Sequence, residues 1–159
     1  MKNFNRIFGS GPIGLLLSLV LFFVASFFNN DVNIPQIFGD NTNIHIYIFA
    51  VLTLITITMI VWSFKSLNPN DRGKTLITTG MYKYFRHPLY AAFLSVFNFG
   101  LAILMNNWIF IIWAILLHPI WHLLVKSEEK MLKDIFSNDY EEYCKKTGRF
   151  FPKLRAPDA

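Results

Sequence analysis

Four long stretches of the chain contain no Asp, Glu, Lys or Arg, and they leave little choice of fold. They cover residues 12–28, 44–64, 89–105 and 108–125, which is 17 to 21 residues each. A helix needs about 20 apolar residues to cross the hydrocarbon layer of a membrane, with about 17 as a lower limit. The alternative is a bundle of buried soluble helices, but a soluble chain of 159 residues needs more polar surface. The sequence therefore predicts an all-α, polytopic membrane helix bundle with four transmembrane helices.

The basic residues predict how this bundle is oriented. With four spans, all 15 Lys and Arg residues fall on one side, before residue 12, between 65 and 86, and after 125. The opposite side receives the loop 29–43, which has two Asp and no base, and a tight turn at Asn106 and Asn107. The positive-inside rule then places both termini in the cytoplasm. The basic surplus suits an anionic lipid leaflet and is not specific enough to indicate nucleic acid binding.

The spans divide a single predicted integral membrane domain, residues 1–159, into two parts. Residues 1–74 contain two spans without a motif and are predicted to be a scaffold. Residues 75–159 contain a loop, a helical hairpin made by the third and fourth spans, and a C-terminal segment. That segment begins with KSEEKMLKDIF, which continues the last helix, and a second short helix is predicted from Ser137 or Asn138 to Gly148. We expect this helical segment to lie in the cytoplasm.

The stretch YKYFRHPLY, residues 82–90, places Arg86 and His87 at the entrance to the third apolar stretch. Pro88 is suited to the first turn of a helix, because its missing N–H donor would be unpaired there in any case. Taken alone, the stretch is explained by basic side chains that reach lipid phosphates and by tyrosines that form an aromatic belt.

Two histidines lie inside the fourth span, four residues apart on one helix face. His118 lies roughly 12 Å below Lys126 at about 1.5 Å per residue. Ionisable groups at that depth usually face the bundle interior or a wet cavity. His118 and His122 could bind a metal, but no Glu lies between them and no third ligand is obvious, so no metal site is predicted. Hydrogen-bonded packing and the lining of a cofactor cavity both remain open for them.

Two acids follow the fourth span directly. Glu128 and Glu129 would be unremarkable on a solvated helix, and Glu129 with Lys133 at i and i+4 predicts an ordinary surface pair. If the third and fourth spans form a hairpin, however, the start of one and the end of the other are neighbours. The side chains expected to converge at that membrane surface are Arg86, His87, Tyr90, His122, Glu128 and Glu129.

This pattern resembles the integral membrane methyltransferases of the isoprenylcysteine carboxyl methyltransferase type and, more loosely, the phospholipid N-methyltransferases. The matching stretches are GMYKYFRHPLYAAF and EEKMLKDIFSNDYEEYCKKTGRFFP, within about residues 75–152. Membrane sterol reductases share an Arg-His-Pro-x-Tyr element and a similar C-terminal end. The positions that carry the resemblance are Gly80, Tyr82, Arg86, His87, Pro88, Tyr90, Glu128, Glu129, Leu132, Phe136, Tyr140, Tyr143, Arg149 and Pro152.

The resemblance implies S-adenosylmethionine in a cytoplasm-facing pocket, beside a lateral opening for a lipophilic or lipid-anchored acceptor. A carboxylate acceptor needs orientation by Arg149 and no base, whereas an amine or a thiol must lose a proton, for which His122 is the best candidate. The residues implied to be catalytic are Arg149, His122 and Glu129. The residues implied to bind the cofactor are Tyr82, Arg86, His87, Pro88, Tyr90, Glu128, Glu129, Tyr140 and Tyr143.

Other interpretations remain beside this one. A nicotinamide-dependent reductase of the sterol-reductase type and a non-catalytic membrane subunit would both contain similar spans. Ala92 stands where the family often has Gly, and the N-terminal half is short, so the acceptor is less constrained than the cofactor. Cys144, in the predicted cytoplasmic segment, is the only cysteine, so the chain has no disulfide framework, and nothing in the sequence supports a catalytic role for this thiol.

Overall fold

A computed structural model describes residues 9–31, 34–39, 42–67 and 75–153 of the chain. In these ranges the chain is helical, with two isolated β-bridges and no longer strand. A short 3₁₀ helix, Gly80–Lys83, precedes the third long helix. The long helices are α1 (Gly11–Asp31), α2 (Ile44–Lys65), α3 (Pro88–Leu104), α4 (Trp108–Leu124) and α5 (Lys126–Lys146). The predicted all-α fold is confirmed, and the predicted boundary at residue 74 lies outside the described residues.

Three helices in the described part of the chain are long and apolar enough to cross a membrane. They are α1, α2 and the continuous helix Trp108–Lys146, of which α4 is the apolar part. These helices make the chain a membrane protein. α3 is also apolar but shorter, and its central stretch Ala92–Phe97 is a π-helix, a form that is frequent at functional sites.

The helices form a bundle with the α3–α4 hairpin at its centre. α3 packs against α4, while α1 packs against α4 and α2 packs against α3. The hairpin was predicted from the tight turn, and Asn106 makes that turn with a left-handed φ of 50°. The core is made by Leu94 of α3, by Phe110, Leu117 and Trp121 of α4, and by Phe150 from the C-terminal segment.

The contact between α1 and α4 is close and partly polar. Gly14 lies against the Trp121 ring, and a Cβ at Gly14 would be 2.5 Å from the ring's Cζ2 atom. Trp121 Nε1 donates to Ser18 Oγ at 3.0 Å, and Trp113 Nε1 donates to the Ser18 carbonyl at 3.2 Å. Small residues such as Gly14 and Ser18 let two helices pack closely, and at that distance a hydroxyl or carbonyl of one helix can bond to a side chain of the other.

The contact between α2 and α3 is apolar. Gly100 faces Leu52, and a Cβ at Gly100 would be 3.1 Å from Leu52 Cβ. The buried hydroxyls of α2 bond only within their own helix, Thr56 to the Leu52 carbonyl and Ser63 to the Met59 carbonyl. Van der Waals packing therefore holds α2 in place along most of its length.

The loop between α1 and α2 is fastened to the turn between α3 and α4. The Asn106 side chain accepts from the Phe38 amide at 2.8 Å and donates to the Phe38 carbonyl at 3.0 Å. Asn107 Nδ2 donates to the Ile34 carbonyl at 3.1 Å. These amide contacts tie together the end of the molecule opposite to the motif residues.

The C-terminal helical segment follows the prediction closely. α5 continues the direction of α4 after a single turn residue, Val125. Inside α5, Ser137 has a φ of 46° and a ψ of −118°, so the helix breaks where a second helix was expected to begin. The break turns the last part of α5 back toward the loop before α3.

Candidate functional site

The loop that leads into α3 is shaped by a glycine and a proline. Gly80 has a φ of 59°, and a Cβ there would overlap the hydroxyl of Ser66 at the end of α2. Only glycine meets both conditions without strain. Pro88 then begins α3 at its first position, as predicted. The loop therefore brings Arg86 and His87 to the start of α3 in one defined conformation.

The chain after α5 runs along this loop. Phe85 and Gly148 form a parallel β-bridge, and the Arg86 amide donates to the Gly148 carbonyl at 2.7 Å. A Cβ at Gly148 would overlap the Phe151 carbonyl, so the chain turns tightly there. Phe150 is buried between the rings of His87 and His122, with centroids 6.2 and 4.8 Å away. This turn carries Arg149 back to the end of α4.

Glu129 lies between two guanidinium groups. Its Oε1 accepts from Arg86 Nε and from Arg149 Nε, both at 2.9 Å, and its Oε2 accepts from Arg149 Nη2. His87 Nε2 is 3.5 Å from the same Oε1. The Glu129 side chain is only 14% exposed, so the ion pairs are largely removed from solvent. Arg149 holds the carboxylate with two parallel bonds, which fixes its orientation.

The ionisation of Glu129 follows from these neighbours. Burial acts to raise the pKa of the Glu129 carboxyl, but polar contacts from His87 and Arg149 and the charge of Arg86 outweigh it. The pKa is held well below its usual range, so Glu129 is a carboxylate at neutral pH. The predicted surface pair of Glu129 with Lys133 is wrong, because Lys133 Nζ contacts Glu141 at 2.6 Å instead.

Arg86 also fastens the end of α5. Its Nη1 donates to the Thr147 carbonyl at 2.6 Å and to the Cys144 carbonyl at 3.4 Å. These carbonyls belong to the last turn of the helix and the residue after it, where no further amide is available within the helix. Arg86 therefore orders the C-terminal segment in addition to pairing with Glu129.

Glu128 has a different set of partners from Glu129. Its Oε1 accepts from the Tyr90 hydroxyl at 3.1 Å and from the main-chain amide of Ser10 at the start of α1. Its Oε2 lies 3.6 Å from His87 Nδ1. Tyr90 stacks on His87, with centroids 5.6 Å apart and an angle of 10° between the rings. Glu128 is thus placed by neutral donors, and among the described residues no guanidinium pairs with it.

Arg149 determines which nitrogen of His122 carries the proton. Arg149 Nη1 lies 2.8 Å from His122 Nδ1. A guanidinium can only donate, so Nδ1 is the acceptor and neutral His122 carries its proton on Nε2. The nitrogen that could take a proton from a substrate already has a partner. His122 is placed better to donate a hydrogen bond than to act as a base.

Three of the predicted tyrosines lie beside the charged cluster, which consists of Arg86, His87, Glu128, Glu129 and Arg149. The Tyr143 hydroxyl donates to the Tyr82 carbonyl at 2.6 Å and lies 3.3 Å from the Phe85 carbonyl. Burial raises the pKa of Tyr143, and burial together with the Glu129 charge raises the pKa of Tyr140. Both phenols stay protonated at neutral pH. Tyr143 supports the loop through its hydroxyl, and Tyr140 packs against Tyr143 with ring centroids 6.1 Å apart.

The structure brings most of the predicted residues together and leaves one histidine apart. His118 stacks on Phe151, with centroids 5.1 Å apart, and lies outside the charged cluster. Ser10 and Thr147 are cluster contacts that sequence reasoning missed, because both act through main-chain atoms that no motif encodes. The residues gathered at or beside the cluster are Tyr82, Arg86, His87, Pro88, Tyr90, His122, Glu128, Glu129, Tyr140, Tyr143 and Arg149.

A cavity of about 880 Å³ lies next to the cluster, between the loop before α3 and the second half of α5. Thr147 joins the two regions, because it lines the cavity and its carbonyl binds Arg86. Of the residues predicted to be catalytic or to bind the cofactor, only Tyr143 lines this cavity. The cavity walls also include Lys83, Tyr84, Phe136, Asp139, Glu142, Lys146 and Lys153.

Comparison with known proteins gives this arrangement a family. Residues 36–139 match the family model described as phospholipid methyltransferase. The chain belongs to this family. The match includes the loop before α3, the hairpin and the two acids, whereas α1 and Arg149 lie outside the matched residues.

A curated relative supports the same assignment. The chain is 30% identical over 95 residues to a protein-S-isoprenylcysteine O-methyltransferase from Schizosaccharomyces pombe, an alignment that covers 58% of this chain. The chain spans about 40% of the length of that relative. The predicted resemblance to membrane methyltransferases is thereby confirmed, and such a family implies a methyl donor.

Proposed function

We propose that this protein is an S-adenosylmethionine-dependent methyltransferase that acts on a lipophilic or lipid-anchored acceptor. The observation that carries the proposal is the convergence of two carboxylates, two guanidiniums and an imidazole where the α3–α4 hairpin meets the C-terminal segment. The family match and the name of the curated relative support methyl transfer. The basic residues support a site on the cytoplasmic side of the membrane.

The charged cluster fits the polar groups of this donor. When bound, S-adenosylmethionine supplies a methyl group activated by a sulfonium. Glu128 Oε2, which has no guanidinium partner among the described residues, suits the donor's ammonium or ribose hydroxyls, and the stacked face of Tyr90 suits the sulfonium cation. His87 Nε2 is buried and faces Glu129 Oε1 at 3.5 Å, without a well-formed hydrogen bond to any of the described residues. This imidazole and Arg86 suit the donor's carboxylate.

The acceptor is proposed to be already ionised at neutral pH. Arg149 has a second hydrogen on Nη2 beyond its bond to Glu129, which can orient a carboxylate. His122 offers its Nε2 proton as a second donor, and its Nδ1 is engaged by Arg149. An amine acceptor needs a base, and the cluster offers no free one in the described residues. Much of the rate would then come from alignment and the exclusion of water.

The donor is tested by ligand binding to the purified protein in detergent. We expect S-adenosylhomocysteine, the demethylated donor, to raise the midpoint of thermal unfolding, and NADPH to leave it unchanged. Glu129→Gln should weaken donor binding at least tenfold, because it leaves two buried guanidiniums without a carboxylate. Glu141→Gln is the matched control, since Glu141 lies on the same helix in an exposed pair. Stabilisation by NADPH alone would support the reductase interpretation instead.

The acceptor is tested with radiolabelled donor and lipid extracts. Carboxylates of isoprenylcysteine type should be labelled, with label that is lost on mild base treatment because a methyl ester hydrolyses. The family name favours a phospholipid amine as the second candidate, and an N-methyl group would survive the base. Base-stable label on phospholipid would contradict the carboxylate proposal and leave the donor proposal intact.

A further inference from the structure

The start of α1 contacts the charged cluster directly. The Ser10 amide donates to Glu128 Oε1, and the Ser10 hydroxyl donates to the Leu124 carbonyl, the last of α4, at 2.9 Å. Ser10 is only 7% exposed, although it directly precedes α1, most of whose side chains are exposed. A residue of the first span is therefore part of the surroundings of a proposed donor-binding acid.

Gly9 allows this contact to form. It has a φ of 58°, and a Cβ there would be 2.5 Å from Glu128 Oε1 and 2.9 Å from the Tyr90 hydroxyl. Real Cβ atoms do not approach other atoms so closely, so any side chain at residue 9 must displace the carboxylate or the α1 start. The position of Glu128 is coupled to the absence of a side chain at Gly9.

The start of α1 is itself held firmly. The Gly14 amide donates to the Ser10 carbonyl at 2.9 Å, which makes Ser10 the first residue bonded into the helix. One turn further on, Gly14 and Ser18 fix α1 against Trp121. Trp121 in turn contacts the ring of Tyr90, with centroids 4.9 Å apart. α1 and Tyr90 thus meet Glu128 from two sides as one packed unit.

We propose that Gly9 and Ser10 form a positioning segment for Glu128, an inference that rests on the proposed function. A free glutamate samples many rotamers, and fixing it costs conformational entropy when a ligand binds. The Ser10 amide and the Tyr90 hydroxyl both hold Oε1, which leaves Oε2 toward His87 and the proposed donor. The positioning segment prepares Glu128 before the donor arrives, and pre-organised groups bind more tightly.

The family match does not contain this contribution. The match begins at residue 36, so α1 is outside it, whereas Tyr90 and Glu128 are inside it. The positioning segment would therefore supply from the first span a contact that the matched residues do not provide. It also gives a motif-free span a role beyond holding the hairpin in the membrane.

The test is the donor dependence of Gly9→Ala. We expect the KM for donor and the Kd for S-adenosylhomocysteine to rise about tenfold, while kcat at saturating donor and the KM for acceptor stay within twofold. Gly39→Ala is the matched control, because nothing lies within 4 Å of a Cβ at Gly39.

A double-mutant cycle separates positioning from general damage. In a Glu128→Ala background, Gly9→Ala should weaken donor binding much less than in the wild type, because the carboxylate that makes the closest overlap is absent and only the Tyr90 hydroxyl remains near the new methyl. Additive losses, or unchanged binding by Gly9→Ala in the wild-type background, would overturn the inference. If Gly9→Ala does not fold, Gly9→Asn tolerates the left-handed backbone and still brings a Cβ to Glu128. Failure of the wild type to bind S-adenosylhomocysteine would instead refute the proposed function.

Discussion

α1 and α2 are both long apolar helices without a motif, yet they meet the rest of the molecule in different ways. α1 gives polar atoms to α4, through Ser18 along its length and through Ser10 at its start. α2 keeps its buried hydroxyls within its own helix and meets α3 through carbon atoms. Only at its end does α2 approach the motif loop, where Ser66 lies under Gly80. Hydropathy alone gives two equivalent anchors, whereas the contacts give one polar partner of the site and one apolar support.

The largest effect is expected where α2 meets the motif loop. Gly80→Ala should destabilise the protein by about 2–5 kcal/mol, because the left-handed conformation costs about 1–2 kcal/mol and the overlap with Ser66 adds an overpacking cost. Chemical unfolding in detergent measures this loss. Gly39→Ala should unfold like the wild type. A Gly80→Ala protein of wild-type stability would show that α2 does not constrain the loop.

A smaller difference should separate the two helix contacts themselves. Gly14→Ala should cost about 1–3 kcal/mol, since the new methyl meets the rigid ring of Trp121. Gly100→Ala should cost less than about 1 kcal/mol, because a shift of α2 by a few tenths of an ångström relieves the contact with Leu52 Cβ. Chemical unfolding in detergent measures the loss of stability in both variants. Equal losses for the two variants would remove the distinction between a rigid and an adaptable interface.

A third comparison, with a smaller expected loss than at Gly80 or Gly14, isolates the polar bond of α1. Ser18→Ala leaves the buried Trp121 Nε1 without its acceptor and should cost about 1–2 kcal/mol. Ser63→Ala in α2 removes only a bond to its own helix and should be nearly neutral. Indole fluorescence offers a second readout, because Trp121 changes surroundings only in the first variant. If both substitutions were neutral, α1 would be an apolar anchor like α2.

The sequence predicted two kinds of feature: the helices, which follow from long uncharged stretches, and the charged site, which follows from ionisable residues at the ends of those stretches. Uncharged stretches predicted the helices, Asn106 and Asn107 predicted the hairpin, and Ser137 predicted the break in α5. The meeting of Arg86 with Glu129 followed from the hairpin, since it requires only that two helix ends be neighbours. These predictions depend on periodicity and topology, which a single sequence records.

The contacts that were missed depend on main-chain atoms or on register. Nothing in the sequence shows that the Ser10 amide faces Glu128, because every non-proline residue has the same amide. Glu129 pairs with arginines and not, as helix spacing had predicted, with Lys133. This pairing depends on where the C-terminal turn places Arg149, and the spacing of residues along a helix does not encode that position. The π-helical stretch of α3 was also missed, since its residues are ordinary helix formers in a membrane.

The bond between Ser10 and Glu128 joins residues 118 positions apart, and this has a consequence for biosynthesis. Ribosomes add about 5–20 residues per second, so the Ser10 amide is made about 6–24 s before its partner. The Ser10–Glu128 bond therefore cannot form until the whole α3–α4 hairpin has been translated. The surroundings of Glu128 are thus completed late in synthesis, after both α1 and the hairpin have been made.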